Sequence, residues 1–464
     1  MKRIIARLDI KGSNVIKGVH LEGLKIVGEP ENLSKKYLDQ NADEIFFQDS
    51  VASLYGRNNL SKIVQSVAAN INIPLTVGGG LKTIEDIEKA LISGADKVAI
   101  NTQFIEDKKF INESSTKFGS QAIVGSIEAK FMKNDNRFIA FTDNGRNVSK
   151  YDVFDWIKIL ENEGAGEIIL TSVDFEGTQK GYDLKLLEEV DKIIKVPLIV
   201  SGGIGNMNHI KECANYDSVS GIALASSLHF NQLNINEIKK RIFNVNNLNF
   251  DKKFNIKKNN NSVSILKTKL CNFRSLYNSL KKVCDVKVLD KDNLNSTYRL
   301  ILPGVGAFNE LVKELAGEKL SLINQIQKKK LPILGICLGA QVLFTQGYEN
   351  KITKGLNFIK GDVVNLKEFS KDKEIMVPNI GWIKTNFKKH KIFNNISNFS
   401  YMYYVHSFNF KPNDAKTVYA TSEIKDVNFN AVCIKDNLIA CQFHPEKSGT
   451  NGLKLLLNFS NLNY

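Results

Sequence analysis

The sequence predicts an α/β protein, a (β/α)8 barrel followed by a second, smaller α/β domain. Three observations lead there. Short β-branched runs alternate with amphipathic stretches from residue 1 to about 235, the pattern of βα units around a parallel sheet. Segments of that half recur 123 residues later, Pro74 matching Pro197, the mark of an internal duplication. An Asn- and Lys-rich stretch over 247–261 then interrupts the pattern before it resumes, and 464 residues leave room for two or three domains.

Taken in order, the barrel strands are expected at Arg3–Ile10, Glu44–Ser50, Pro74–Gly79, Lys97–Asn101, Ala122–Lys130, Glu167–Asp174, Pro197–Gly203 and Gly221–Ser226. Eight such units in this length match a closed barrel. The duplication is read from Ile73–Gly79 recurring as Val196–Gly203, Ala42–Ile45 recurring as Ala165–Ile168, and Leu8–Lys11 echoed by Ile127–Lys130. Two four-strand halves are the simplest account. The barrel is placed at 1–246, a connector at 247–261 and the second domain at 262–464, with strands at Ser262–Leu266, Leu300–Leu302, Pro332–Ile336, Tyr403–Val405 and Ile439–Phe443.

Composition narrows the class. Hydrophobic residues at 43% and charged residues at 24% exclude a disordered, collagen-like or disulfide-scaffold chain. Lys and Arg number 63 against 49 Asp and Glu, a net charge of +14. The lysines recur as scattered pairs such as Lys35-Lys36, Lys108-Lys109 and Lys388-Lys389, without the interleaved aromatics of a stacking platform, so no nucleic-acid partner is expected. The six cysteines have neither C-x-x-C pairing nor metal-ligand spacing, and no metal or cofactor is implied. No run reaches the roughly 18 apolar residues of a membrane helix, and the amino terminus meets charge before any signal-like run. A cytoplasmic protein is expected.

The second half carries nucleophile chemistry. Leu331–Ile336 is an apolar strand running into Gly335-Ile336-Cys337-Leu338-Gly339 and then a helix. Flanking glycines permit the strained strand-to-helix elbow that exposes a nucleophile, and the helix start faces it. Far downstream, His444 is followed by Glu446, which can orient it. Pro303–Phe308 follows a strand and offers close-packed N–H groups of Gly304, Val305 and Gly306 to an oxyanion. A lone buried cysteine is ordinarily a small hydrophobe; the three elements together point to a thiol nucleophile.

On these motifs, residues 262–464 resemble class I glutamine amidotransferases, and within them the glutaminase subunit of imidazole glycerol phosphate synthases. The resemblance implies Cys337 as nucleophile forming a glutamyl thioester, His444 as acid/base, Glu446 as its partner, and Gly306 and Gln341 in the glutamine pocket. Val377–Trp382 and Tyr404–Ser407 resemble segments that face the synthase subunit, with Asn379 where His and Ile383 where Asn are common.

Catalytic residues of such barrels lie at the carboxyl ends of strands. Those ends carry Asp9, Asp49, Glu128 and Asp174, with Gly79-Gly80, Asn101-Thr102, Gly202-Gly203 and Ala225-Ser226. Backbone N–H groups at such glycines bind phosphate, and their occurrence in both repeat halves predicts two phosphate sites and an elongated bisphosphate substrate. Asp9 and Asp174 are expected as the acid/base pair. Leu8–Lys11, Thr76–Gly80, Ala95–Val98, Phe118–Gln121 and Thr171–Asp174 make residues 1–235 resemble the cyclase subunit of the same synthases. This adds Lys17 as a substrate-loop lysine, Arg3, Glu44, Lys97 and Glu167 as a ring gating an ammonia passage, and Asp96, Lys447 and Trp382 as domain-interface residues. Glu128 stands where the family usually has Asp.

The expected function is therefore a bifunctional enzyme of histidine biosynthesis with both subunits in one chain, cyclase first: glutamine supplies ammonia, and a phosphoribulosyl-formimino bisphosphate is converted to imidazole glycerol phosphate and an aminoimidazole carboxamide ribonucleotide. The alternative is a glutamine-dependent ammonia supplier to a separate sugar amidotransferase acting in surface-polysaccharide synthesis.

Overall fold

The computed structural model describes residues 2–50, 60–244, 257–292, 294–370 and 375–462. The chain divides into two compact units, one of Met1–Thr116 and Ser120–Leu248, the other of Lys117–Gly119 and Asn249–Tyr464. The connector expected at 247–261 lies mostly outside the described residues; its end does not, and Asn259 is tied to the second unit through Ser460 Oγ at 2.8 Å.

The first unit contains strands β1 (Arg3–Lys11), β2 (Asn14–Val19), β3 (Glu22–Gly28), β4 (Glu44–Asp49), β5 (Leu75–Gly78), β6 (Lys97–Ile100), β7 (Ile123–Met132), β8 (Arg137–Thr142), β9 (Asn147–Asp152), β10 (Glu167–Ser172), β11 (Leu198–Ser201) and β12 (Val219–Leu224). Eight of them run parallel in the order β10-β11-β12-β1-β4-β5-β6-β7, and β7 pairs with β10 to close the barrel. All eight expected strands are present. The remaining four are antiparallel excursions, β2–β3 from β1 and β8–β9 from β7. The duplication is visible in the strand starts, with β4 and β10 at 44 and 167, and β5 and β11 at 75 and 198.

Strand alternation sends Arg3, Ile5, Arg7 and Asp9 of β1 to one face, the bore. Ile5 joins Phe46, Ala99, Val124, Ile169, Ile199 and Ala223 in a buried apolar layer. Outside the barrel, the last helix (Ile235–Phe243) is fixed by Lys239, whose ammonium binds Asp43 beside the start of β4 with both side chains out of water; Asp43 Oδ2 also accepts the Ile4 N–H at 2.8 Å.

In the second unit, β13 (Ser262–Ile265), β14 (Asp285–Val288), β15 (Leu300–Gly304), β16 (Ile333–Cys337), β20 (Asn379–Phe387), β21 (Ser400–His406), β23 (Val418–Ile424), β24 (Val427–Lys435) and β25 (Leu438–Cys441) form one sheet, ordered β14-β13-β15-β16-β25-β24-β23-β20-β21. Its first five strands are parallel and the rest antiparallel. A smaller sheet holds β17 (Gln346–Gly347), β18 (Thr353–Lys354), β19 (Gly361–Asn365) and β22 (Phe408–Pro412). The five expected strands correspond to β13, β15, β16, β21 and β25. Reading from pattern misses β23 and β24, where Thr421, Ser422, Asn428 and Asn430 interrupt what would otherwise be apolar runs.

Lys239→Met strands a buried carboxylate at Asp43, so the barrel unit should lose about 3–5 kcal/mol of stability, measured as an earlier denaturant midpoint of its unfolding transition.

Candidate active sites

In the second unit, β16 ends at Cys337, whose backbone sits at φ +50° and ψ −112° before the short helix Leu338–Gln341. A non-glycine residue in the positive-φ region is strained and persists only where its surroundings over-determine it. The flanking glycines do so. A Cβ on Gly335 would meet Ala340 Cα at 2.6 Å, and one on Gly339 would collide with the Leu302 carbonyl. The elbow therefore has the tight packing that its two glycines predict.

β25 runs into Gln442–Glu446 on the neighbouring strand line. His444 Nδ1 and Glu446 Oε1 are 2.8 Å apart, both buried. Burial acts to lower the His444 pKa, yet Cys337 and Glu446 raise it well above the ordinary value. Nε2, which makes no other hydrogen bond among the described residues, is the nitrogen available to Cys337. Gln442 Nε2 lies 3.7 Å from Cys337 Sγ, and Gln442 Oε1 accepts from Gln341 Nε2 at 3.1 Å. Gln341 and Gln442 thus wall the thiol.

The oxyanion loop differs from the expectation at one residue. The Val305 N–H donates to the Leu270 carbonyl at 2.9 Å, so in this state it is not aimed at an oxyanion; Gly304 pairs in register with Cys337, and Gly306 holds φ +105°. Pattern reading also misses Glu349. Its buried carboxylate accepts the Phe308 N–H at 2.7 Å and is raised to about 7 by burial. It sits in a turn after β17, where no periodicity marks it; only its place twelve residues past the nucleophile, on the same wall as the Pro303–Phe308 loop, could have drawn attention. In the Tyr404–Ser407 segment, Asn379 Nδ2 donates to His406 Nε2 at 2.9 Å, while His406 Nδ1 faces the Phe408 carbonyl at 2.9 Å. Burial lowers His406 to about 4, so it is a neutral structural imidazole. Trp382 packs edge-on against Tyr403 in the same unit.

In the barrel, two cradles open where the repeat places them. One cavity is lined by Asp49, Gly79, Gly80, Asn101, Thr102 and Glu128 among others. The second is lined by Gly202, Gly203, Ala225 and Ser226, with Ser201 and Glu176 beside them. Gly79, Gly80, Gly202 and Gly203 have φ between +69° and +103°; a Cβ would drive Gly79 into the Asp49 carbonyl and Gly203 into that of Gly181. Asn101 (φ −114°, ψ −83°) and Ala225 (φ −127°, ψ −84°) adopt matching conformations before the next turn. Helical bonding starts only at the Phe104 and Leu228 N–H groups, which donate to the Asn101 and Ala225 carbonyls; the N–H groups ahead of them in each turn suit an anion.

Between the cradles lies a buried charge network. Asp9 Oδ1 accepts from Arg7 Nε at 2.9 Å and Oδ2 from Lys17 Nζ at 3.0 Å, and Lys17 also binds Glu176. Burial alone would raise Asp9, but Arg7 and Lys17 hold it well below the usual carboxylate range. Glu128 behaves oppositely. Burial raises it to about 7 although the Gly145 N–H donates to it at 2.7 Å. Asp174 Oδ2 accepts the Phe131 N–H at 2.8 Å, while Glu128 faces the first cavity together with Asp49.

At the opposite end, Arg3 meets Glu44 through Nη1 at 2.6 Å and Glu167 through Nη2, while Lys97 Nζ meets Glu44 at 2.9 Å and Glu167 at 2.5 Å. All four are buried, and they alternate in sign around the bore. Burial would raise Glu44, but Lys97 and Arg3 keep it below its ordinary value. Asp96, at the start of β6, accepts the Leu75 N–H at 2.8 Å. Lys447 belongs to the helical turn Pro445–Lys447 of the second unit.

Fold and geometry together define a (β/α)8 barrel with two glycine-lined cavities, followed by a unit in which a cysteine at a strained elbow and a His–Glu pair end adjacent strands. Residues 3–234 match the family described as histidine biosynthesis protein, and residues 251–461 match class-I glutamine amidotransferases. Relatives named imidazole glycerol phosphate synthase subunit HisF include one from Legionella pneumophila, 53% identical over 205 residues (44% of this chain, 96% of the relative), and one from Sulfurisphaera tokodaii, 45% identical over 240 residues (52% and 94%). A third, from Campylobacter concisus, is 42% identical over 239 residues (52% and 94%). The chain belongs to the histidine biosynthesis protein family in its barrel half and carries a class-I glutamine amidotransferase region after it.

Glu446→Gln removes the anion that favours imidazolium, so the His444 pKa should fall, read directly by NMR titration of the ring, with a large loss of glutamine hydrolysis in the same variant.

Proposed function

We propose that the chain is a glutamine-dependent imidazole glycerol phosphate synthase with both activities in one polypeptide. The observation that carries it is the coexistence, in one family member, of the Cys337–His444–Glu446 constellation and a barrel mouth whose two anion cradles flank buried carboxylates. In the first site, Cys337 attacks the glutamine amide carbon; His444 passes the thiol proton to the departing ammonia and then takes one from the water that hydrolyses the glutamyl thioester, while Glu446 holds the ring's orientation. Glu349 is the carboxylate suited to the α-ammonium of glutamine: an amino acid delivers a cation to a buried acid that otherwise has one N–H. The Val305 N–H has to leave Leu270 before it can serve a tetrahedral oxyanion, which makes peptide reorientation part of activation.

In the barrel, the cradles at Gly79-Gly80 with Asn101-Thr102 and at Gly202-Gly203 with Ala225-Ser226 hold the two phosphates of a phosphoribulosyl-formimino bisphosphate. Lys17 and Asp49 act at the substrate, and Asp9 with Glu128 form the carboxylate pair for ammonia addition, bond cleavage and imidazole closure. The Arg3, Glu44, Lys97 and Glu167 ring serves as the gate for ammonia, the neutral species that can cross an apolar layer such as that around Ile5. A barrel that merely conducts ammonia to a separate sugar amidotransferase is not favoured, since the relatives across nearly their whole length are synthase subunits and both cradles are formed.

Incubating the purified chain with glutamine and the bisphosphate should give both products. Glutamine hydrolysis that appears only beside a sugar-modifying partner, with no cyclisation, would sink the reading. Cys337→Ala should abolish glutamine-driven turnover and leave ammonium-driven turnover intact. For Glu349→Gln, the KM for glutamine should rise on the order of tenfold, the loss of one charge-assisted contact, with ammonium-driven turnover unchanged.

A further inference from the structure

Arg7 is a buried cation to which the chemistry above gives no task. Arg7 is almost wholly enclosed in the bore, one alternation step above Ile5 of the apolar layer and one below Asp9. Its Nε donates to Asp9 Oδ1, and its Nη1 crosses to Thr171 Oγ1 of β10 at 2.9 Å and Ser201 Oγ of β11 at 3.0 Å. The guanidinium lies over the Phe46 ring, 5.7 Å from its centroid. Three acceptors on three barrel strands fix the plane of the fork, so one Asp9 oxygen is held along a set direction. Lys17, the other cation on Asp9, comes from the β2 excursion and is shared with Glu176. A substrate can draw Lys17 away. It cannot draw away Arg7, which is built into the barrel wall.

Resting on the cyclase reading, we propose that Arg7 is a positioning residue that keeps Asp9 an oriented, permanently ionised carboxylate, so that the exchangeable proton of the barrel site resides on Glu128. Asp9 is faced by Arg7 from its own strand, Lys17 from β2, Glu176 from the turn after β10, Glu128 from β7, and His229 from the segment after β12. His229 is neutral, lowered to about 4 first by burial and then by Lys17. Glu128 is faced by the Gly145 N–H, Arg7, Asp143 and Asp9. Of the three carboxylates that face Arg7, those of Asp9, Glu176 and Glu128, only Asp9 takes a direct hydrogen bond from it among the described residues. Environments that push two carboxyls apart in this way divide acid and base duties between them.

The test uses the full chain with 13C-labelled Asp and Glu carboxyls, assigned through Asp9→Asn and Glu128→Gln. In the unaltered protein, the Asp9 signal should stay ionised across the folded range while Glu128 titrates near neutrality. Arg7→Gln should bring the Asp9 inflection up into that range, and Arg7→Lys, which keeps the charge but loses the fork to Thr171 and Ser201, should move it part of the way. With ammonium as nitrogen source, Arg7→Gln should lower kcat on the order of 10²-fold with little change in KM for the bisphosphate, and move the acid limb of the pH profile upward. An Asp9 that titrates in the unaltered protein, or one indifferent to both folded Arg7 variants, overturns the proposal. Should the unaltered protein lack ammonium-driven turnover, the cyclase reading fails, and the carboxyl titration still decides the part played by Arg7.

Discussion

The interaction on which the barrel depends is the alternating charge ring of Arg3, Glu44, Lys97 and Glu167. A charge withdrawn from water costs several kcal/mol unless its partners are in place, and here each charge has two opposite partners reached across the bore. Satisfying all four restrains the relative heights of β1, β4, β6 and β10. Period-2 alternation then decides what faces the bore at every level above: an apolar layer at Ile5, the guanidinium of Arg7, and the carboxylate of Asp9. The carboxylates of the mouth are held at a set height because the ring below them is.

The second unit reaches rigidity by steric means. Cys337 is held at positive φ because Gly335 and Gly339 bring the elbow against Ala340 and Leu302, leaving no room for relaxation. His444 arrives on the adjacent strand, and its tautomer follows from Glu446. The loop that should bind the oxyanion is the exception to this rigidity, since the Val305 N–H is spent on Leu270. The nucleophile is thus fixed by packing, while the Val305 peptide of the neighbouring loop is held by a single hydrogen bond to Leu270.

Much was legible from pattern. All eight barrel strands, the duplication and the two glycine-lined cavities follow from β-branched runs and paired glycines, because these are local signals with local causes. In the duplication Leu8–Lys11 echoes Ile127–Lys130, which makes Glu128 the repeat counterpart of Asp9. Asp174, a strand-end acid like Asp9, accepts the Phe131 N–H much as Glu128 accepts that of Gly145; what sets Glu128 apart is its place on the wall of the first cavity. Glu349 and Arg7 were invisible for a related reason. A carboxylate in a turn and an arginine in an apolar strand acquire meaning from groups far away in the chain.

The sequence by itself determined the class of both units, the order in which they occur, and the residue types available at each strand end and elbow, since periodicity, glycine placement and motif spacing are properties of neighbouring residues. The tertiary structure alone decided which of those groups are charged, which are occupied and which are free to react. Protonation and hydrogen-bond saturation depend on burial and on partners brought from other strands, and closing the barrel is what sets Arg7 against Asp9, Gly145 against Glu128 and Leu270 against Val305.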